Sequence, residues 1–263
     1  MSGVLRGARA ELRRLTRPSY LLSAIGLPAF FAALVTVLTF DSVSSTTTIA
    51  PRGGPTVTMS DLTSSSGFLK GVETSFTFLG LIVLVLAAMA VATDYGQGTL
   101  RNLLVRQPTR WKLLSSKLLA LLALVFLSAL GATTSGSAVA RFVASGSGVS
   151  TSAWQLSSAF GHLLGLTAGL FGWAAIGALV ATVLRSVPAA IGVGVGWALP
   201  VEGILGSAWK AGKAWFPGGA FEAIASGGSS TLTLSRAIIV ASIYVVVAIA
   251  ATQALFARRE ITA

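Results

Sequence analysis

One histidine and no cysteine stand among 263 residues. The usual nucleophile–base pairs and metal-ligand sets therefore have almost nothing to be built from. His162 has no second histidine with which to hold a metal. Ser and Thr are abundant but lack a histidine partner in any recognisable motif. Without cysteine there is no disulfide and no thiol chemistry. Gly206 and Gly212-Lys213 come nearest to a phosphate-binding loop, but the spacing is wrong and Ala214 replaces the required hydroxyl. We expect no catalytic residue, no metal and no cofactor in this chain, and read His162 as a packing or surface residue.

The residues that can do work are charged ones placed beside apolar ones, in the stretch from Asp94 to Lys117. Thr99 is placed to N-cap a helix starting at Leu100, and Pro108 ends it soon after Val105. Thr109 is placed to cap the next helix, which Trp111 leads into an apolar run. Leu100, Leu103 and Leu104 share a face at helical spacing, with Arg101 and Arg106 around them. This predicts one or two turns of amphipathic helix held at a membrane surface. Such a piece is shaped to press into a groove on a soluble partner.

The elements that position this stretch are membrane spans. The chain is 54% hydrophobic and 10% charged, with a mean hydropathy of +0.81, whereas a soluble domain carries about 25% charged residues. The pattern predicts an all-α integral membrane protein, a single transmembrane domain over 1–263. A span needs about 20 apolar residues, and six runs qualify: about 20–40, 76–93, 118–140, 159–184, 189–204 and 237–256. Pro28 is expected to kink the first. Residues 1–19 read as a basic amphipathic helix in the membrane interface, with Val4, Leu5, Ala8, Leu12 and Leu15 on one stripe and Arg6, Arg9, Arg13 and Arg17 opposite. Residues 41–75 and 141–157 read as polar external connections. The Trp- and Lys-containing segment 205–235 is expected to dip into the outer leaflet as short helices.

Gly161, Gly165 and Gly169 repeat every four residues, as do Gly192 and Gly196. Faces of this kind admit close helix approach, and packing within the chain is the expected use. Asp94, Glu73, Glu202, Lys117 and Arg185 all read as span-end residues, leaving the apolar cores without an ionisable group. That weighs against a proton- or sodium-coupled carrier. It favours passage of an apolar or amphipathic molecule over a strongly hydrated one.

The net charge is +11, and 13 of the 19 Lys and Arg fall in the N-terminus, the second and fourth connections and the C-terminus. The positive-inside rule then places both termini in the cytoplasm. Basic residues beside apolar runs suit anionic headgroups rather than nucleic acid. The residues alone also admit a stand-alone carrier or channel, or a non-transporting membrane scaffold.

The 94–117 stretch resembles one found in the permease subunits of type-2 ABC transporters, the class that includes many bacterial drug and antibiotic exporters. There the second span ends in an acidic or polar residue. A Gly-Thr-Leu-Arg-like turn, leucines, a Pro, an Arg and a Lys opening the third span follow. Here these are Asp94, Gly98-Thr99-Leu100-Arg101, Leu103-Leu104, Pro108, Arg110 and Lys117. The resemblance implies a permease of an ATP-driven exporter in the bacterial cytoplasmic (inner) membrane. Its partners would be two copies of an ABC ATPase, which bind ATP and Mg, and a second permease copy or paralogue. Asp94, Gly98, Thr99, Leu100, Arg101, Leu103, Leu104, Arg106, Pro108 and Arg110 would couple that ATPase to the spans.

Overall fold

The computed structural model describes residues 2–15, 18–44, 57–96, 109–209, 212–229 and 232–258. The regular elements in these segments are helices: α1 (Ser2–Leu15), α2 (Pro18–Leu21), α3 (Leu27–Ser44), α4 (Met59–Leu62), α5 (Lys70–Thr74), α6 (Phe76–Gly96), α7 (Arg110–Ala144), α8 (Ser157–Leu184), α9 (Val187–Gly196), α10 (Glu202–Ala208), α11 (Pro217–Ala225) and α12 (Leu234–Arg258), with short 3-10 and π turns between some of them. Six helical runs are long and apolar enough to cross a membrane: Pro18–Val43, Phe76–Tyr95, Trp111–Ala144, Ser157–Leu184, Val187–Ala208 and Leu234–Phe256. This is a multi-pass membrane protein.

The centre of the bundle is the α6–α8 pair, with α7, α11 and α12 around it. Leu79, Leu84, Leu121, Leu166, Leu170, Trp173 and Phe221 form its buried core. Small residues set the spacing. A Cβ on Gly165 would lie 2.6 Å from the Ile224 carbonyl oxygen, and one on Gly169 would lie 2.5 Å from that of Phe221. Backbone thus meets backbone where α11 lies against α8. Gly161, Gly192 and Gly196 differ: no neighbour among the described residues comes within 4 Å of the Cβ position. The expected packing of Gly192 and Gly196 within the chain is therefore not seen. On α9 it is Gly194, against Leu84, that takes a close neighbour.

The first span runs on through Pro28, with a local change of helix type ahead of it. The helix opens into a π turn over Leu22–Gly26 just before the proline. Pro28 has no N–H to donate to the carbonyl of Ala24, four residues back. The Ser128 hydroxyl of α7 donates to that oxygen instead, at 2.5 Å, and Ser135 donates to the Ala29 carbonyl at 2.7 Å. The π turn and the proline are thereby tied to α7.

Residues 57–75, in the connection read as polar and external, carry short helices that fold over the ends of α3 and α7. Phe40, Leu62, Phe68, Leu69 and Ala144 make a second small core there. Thr58 and Asp61 form a capping box at the start of α4. The Trp154 indole donates to the Leu62 carbonyl at 2.9 Å. The 205–235 segment holds α11 among its short helices, and α11 packs on both α8 and α12.

Candidate functional site: a buried ionic junction flanking residues 97–108

The helices outrun the apolar stretches that announce them, and this decides where the charges lie. The helix of the third span begins at Arg110 rather than near 118, so Lys117 sits two turns inside α7. Asp94 lies in the last turn of α6. Both are buried, Asp94 at 1% and Lys117 at 6% exposure, as is Glu11 of α1 at 7%. Asp94 is at a span end, as expected, whereas Lys117 lies inside the third span; both, with Glu11, are enclosed by protein.

Their geometry is mutually satisfying. The Lys117 ammonium lies 2.6 Å from Asp94 Oδ2 and 3.0 Å from Glu11 Oε1, and donates to the Ala90 carbonyl at 3.2 Å. Those contacts match the three donors of an ammonium group. Arg14 Nη1 donates to the other Asp94 oxygen, Oδ1. Burial alone would lower the Arg14 pKa, but the hydrogen bond and charge of Asp94 outweigh it and the net shift is upward. The guanidinium stays a fixed cation. Among the described residues, two cations, Lys117 and Arg14, thus face two carboxylates, Asp94 and Glu11.

The junction fastens three elements together. Glu11 and Arg14 bring α1, Asp94 brings α6 and Lys117 brings α7. Tyr20 adds a fourth tie by donating to the Leu86 carbonyl at 2.5 Å. Tyr95 and Phe256 meet edge-on at 6.4 Å between ring centres, and Leu113 packs there too, which adds the end of α12. The space left between Asp94, Lys117 and Phe256 is about 10 Å³, about one water's worth. This is a lock between helices, not a ligand pocket.

Of the residues singled out from the sequence, Asp94 belongs to the junction. Gly98, Thr99, Leu100, Arg101, Leu103, Leu104, Arg106 and Pro108 lie outside the described residues. Arg110 is the first residue of α7, and Thr109 occupies the N-cap position without a side-chain capping bond. Glu11 and Arg14 are absent from the sequence-derived set. Glu11 is the one acid among residues 1–19 and lies on the same helical face as Ala8 and Leu15, which is the signal that marks it. The N-terminal helix accordingly packs along α7 with this acid inward, while Leu5 of the expected apolar stripe is 52% exposed.

Glu202 is also placed differently from expectation. It lies within the continuous 187–208 helical run, just after a π turn that contains Pro200. Its Oε1 accepts from the Gly219 N–H at 3.1 Å. Phe216, at the N-cap of α11, makes no side-chain capping bond, so a carboxylate from another helix serves the α11 N-terminus, where negative charge is favourable. The expectation that the span interiors carry no ionisable residue is corrected for Lys117 and Glu202, which lie inside spans, whereas Asp94 holds the second-last position of its span; all three are engaged by protein groups.

A search of curated proteins returned no match. A family model described as protein of unknown function (DUF2705) matches residues 29–262. Asp94, Lys117 and Glu202 fall within the matched region, and Glu11 and Arg14 precede it. The match takes in most of the chain, which belongs to the DUF2705 family.

Proposed function

We propose that this chain is the permease subunit of an ATP-driven ABC exporter, with both termini in the cytoplasm of a bacterium. A separate ATPase, present in two copies, binds ATP and Mg and hydrolyses the nucleotide. A second copy of this chain or a paralogue completes the pathway. The carried molecule is hydrophobic or amphipathic, such as a drug, antibiotic or lipid-like compound.

The observation that carries this reading is the Glu11–Lys117–Asp94–Arg14 junction. It sits at both roots of the 97–108 segment, the stretch that resembles the coupling helix of such permeases. A short helix transmits a push only if its ends are stiffly joined to what must move. Breaking a buried ion pair costs about 3–5 kcal/mol, so α1 and the ends of α6 and α7 move together. Leu100, Leu103 and Leu104 then enter a groove on the ATPase, and the displacement passes into the spans as a unit.

The test is affinity purification of the chain from its native membrane under mild detergent, followed by mass spectrometry. An ABC ATPase recovered in equal amount with the chain is the expected result. Recovery of the chain alone, with no ATPase under conditions that preserve other membrane complexes, would remove the proposal.

A further inference from the structure

At the opposite end of the bundle from the ionic junction, a cavity of about 760 Å³ opens between α8, α11 and α12. Sites that enclose small ligands run to about 300–1,000 Å³. With Ser242 of α12 the exception deeper in the slot, its polar groups gather at one end. Glu73 of α5 and His162 of α8 line it there, with Ser158 and Ser226. Leu164, Phe171, Ile238 and Val246 form apolar walls that continue toward the middle of the bundle. From Ser158 to Phe171 the α8 wall runs about 20 Å at 1.5 Å per residue. The slot is thus polar at the membrane-surface end and mainly apolar in depth, which is the polarity of an amphiphile.

The polar end presents acceptors. The Ser158 hydroxyl donates to the Gln155 carbonyl at 2.7 Å and the Ser226 hydroxyl to the Glu222 carbonyl at 3.0 Å. Their protons are used, and their lone pairs remain. His162 Nδ1 faces Glu73 Oε1 at 3.7 Å. The neutral tautomer that turns an N–H toward that carboxylate leaves Nε2 as an acceptor. His162 Nε2 is buried and has no partner, and the side chain is 5% exposed. Such an atom carries a desolvation cost that a ligand's donor would relieve. Lys70 Nζ sits 2.7 Å from Glu73 Oε2, so the carboxylate's charge is already balanced. Lys70 does not line the cavity, but its pairing with Glu73 leaves no surplus negative charge to hold a cationic head, and an anionic head would meet an array of acceptors.

We infer that this cavity binds a single-chain amphiphile with an uncharged, hydroxyl-bearing head, the hydroxyls donating to His162 Nε2 and Glu73 and the tail lying along α8 and α12. The site is independent of the permease reading, and its test needs no ATPase.

Gly161 supplies a clean probe. It lines the cavity, and a Cβ there meets nothing within 4 Å, so a side chain can start from this position without a backbone clash and occupy the slot. The purified chain in nanodiscs is photolabelled with dodecylglycerol carrying a diazirine at the tail end. Unlabelled dodecylglycerol, dodecylamine and dodecanoate serve as competitors. We expect label on the α8 and α12 residues of the slot, with dodecylglycerol competing at about tenfold lower concentration than either charged head. Gly161→Phe should abolish that labelling at an unchanged melting temperature. His162→Leu should weaken it and erase the head preference, whereas His162→Gln, which keeps an acceptor, should retain most of both. Label spread over all lipid-facing helices and indifferent to Gly161→Phe would show annular contact only and overturn the site. Preference for the amine or the carboxylate would overturn the assignment of the head.

Discussion

Lys117 Nζ lies 2.6 Å from Asp94 Oδ2 and 3.0 Å from Glu11 Oε1, so one buried cation joins α7 to both α6 and α1. Lys117→Met should destabilise the protein by about 3–5 kcal/mol, because the buried Glu11 and Asp94 carboxylates each lose the ammonium that pairs with them. Adding Glu11→Gln removes one of those charges and should recover much of that loss. Unfolding by detergent titration, read from tryptophan fluorescence, measures the cycle. If the losses from the two single changes simply add in the double variant, the residues are not coupled.

The Ser128–Ala24 bond makes a second cycle. Ser128→Ala leaves the carbonyl opposite Pro28 without this donor and should cost about 1–3 kcal/mol. In a Pro28→Ala background the helix supplies its own N–H, and the same Ser128→Ala change should cost distinctly less. An equal cost in both backgrounds would show that Ser128 does not serve the π turn ahead of the proline.

Much of the fold can be read in the sequence, and the gaps have physical causes. The six spans are legible because each is an apolar run of the required length. Their ends are not, because a helix continues through polar residues whenever protein packs around them. α7 therefore starts at Arg110 and carries Lys117 inward, and Ser157 rather than Ala159 opens α8. Glu11 is obscured by five neighbouring arginines in residues 1–19, although its helical phase places it inward. Glu202 as a cap for α11 is not legible at all: it depends on a tertiary contact across 17 residues of sequence. The same holds for Glu73 and His162, which meet only once α5 is folded onto the end of the bundle.

Orientation can be tested directly, since the chain has no native cysteine. Single cysteines at Ser152 and Ser229, both exposed at the end remote from the ionic junction, should react with an impermeant thiol reagent in intact cells. A cysteine at Trp111, 57% exposed at the other end, should react only after permeabilisation. Labelling of the Trp111→Cys variant from outside would reverse the proposed orientation and place the 97–108 segment beyond reach of a cytoplasmic ATPase.

An exporter of the proposed kind requires residues 97–108 to couple to an ATPase. The direct measurement compares ATPase recovery and ATP hydrolysis for complexes purified on the wild-type chain and on Leu103→Asp/Leu104→Asp. The wild-type chain should bring down an ABC ATPase whose hydrolysis is stimulated by an amphipathic compound. The double variant should insert and fold normally but lose the ATPase. Equal recovery and equal stimulated hydrolysis with both chains would contradict the coupling role.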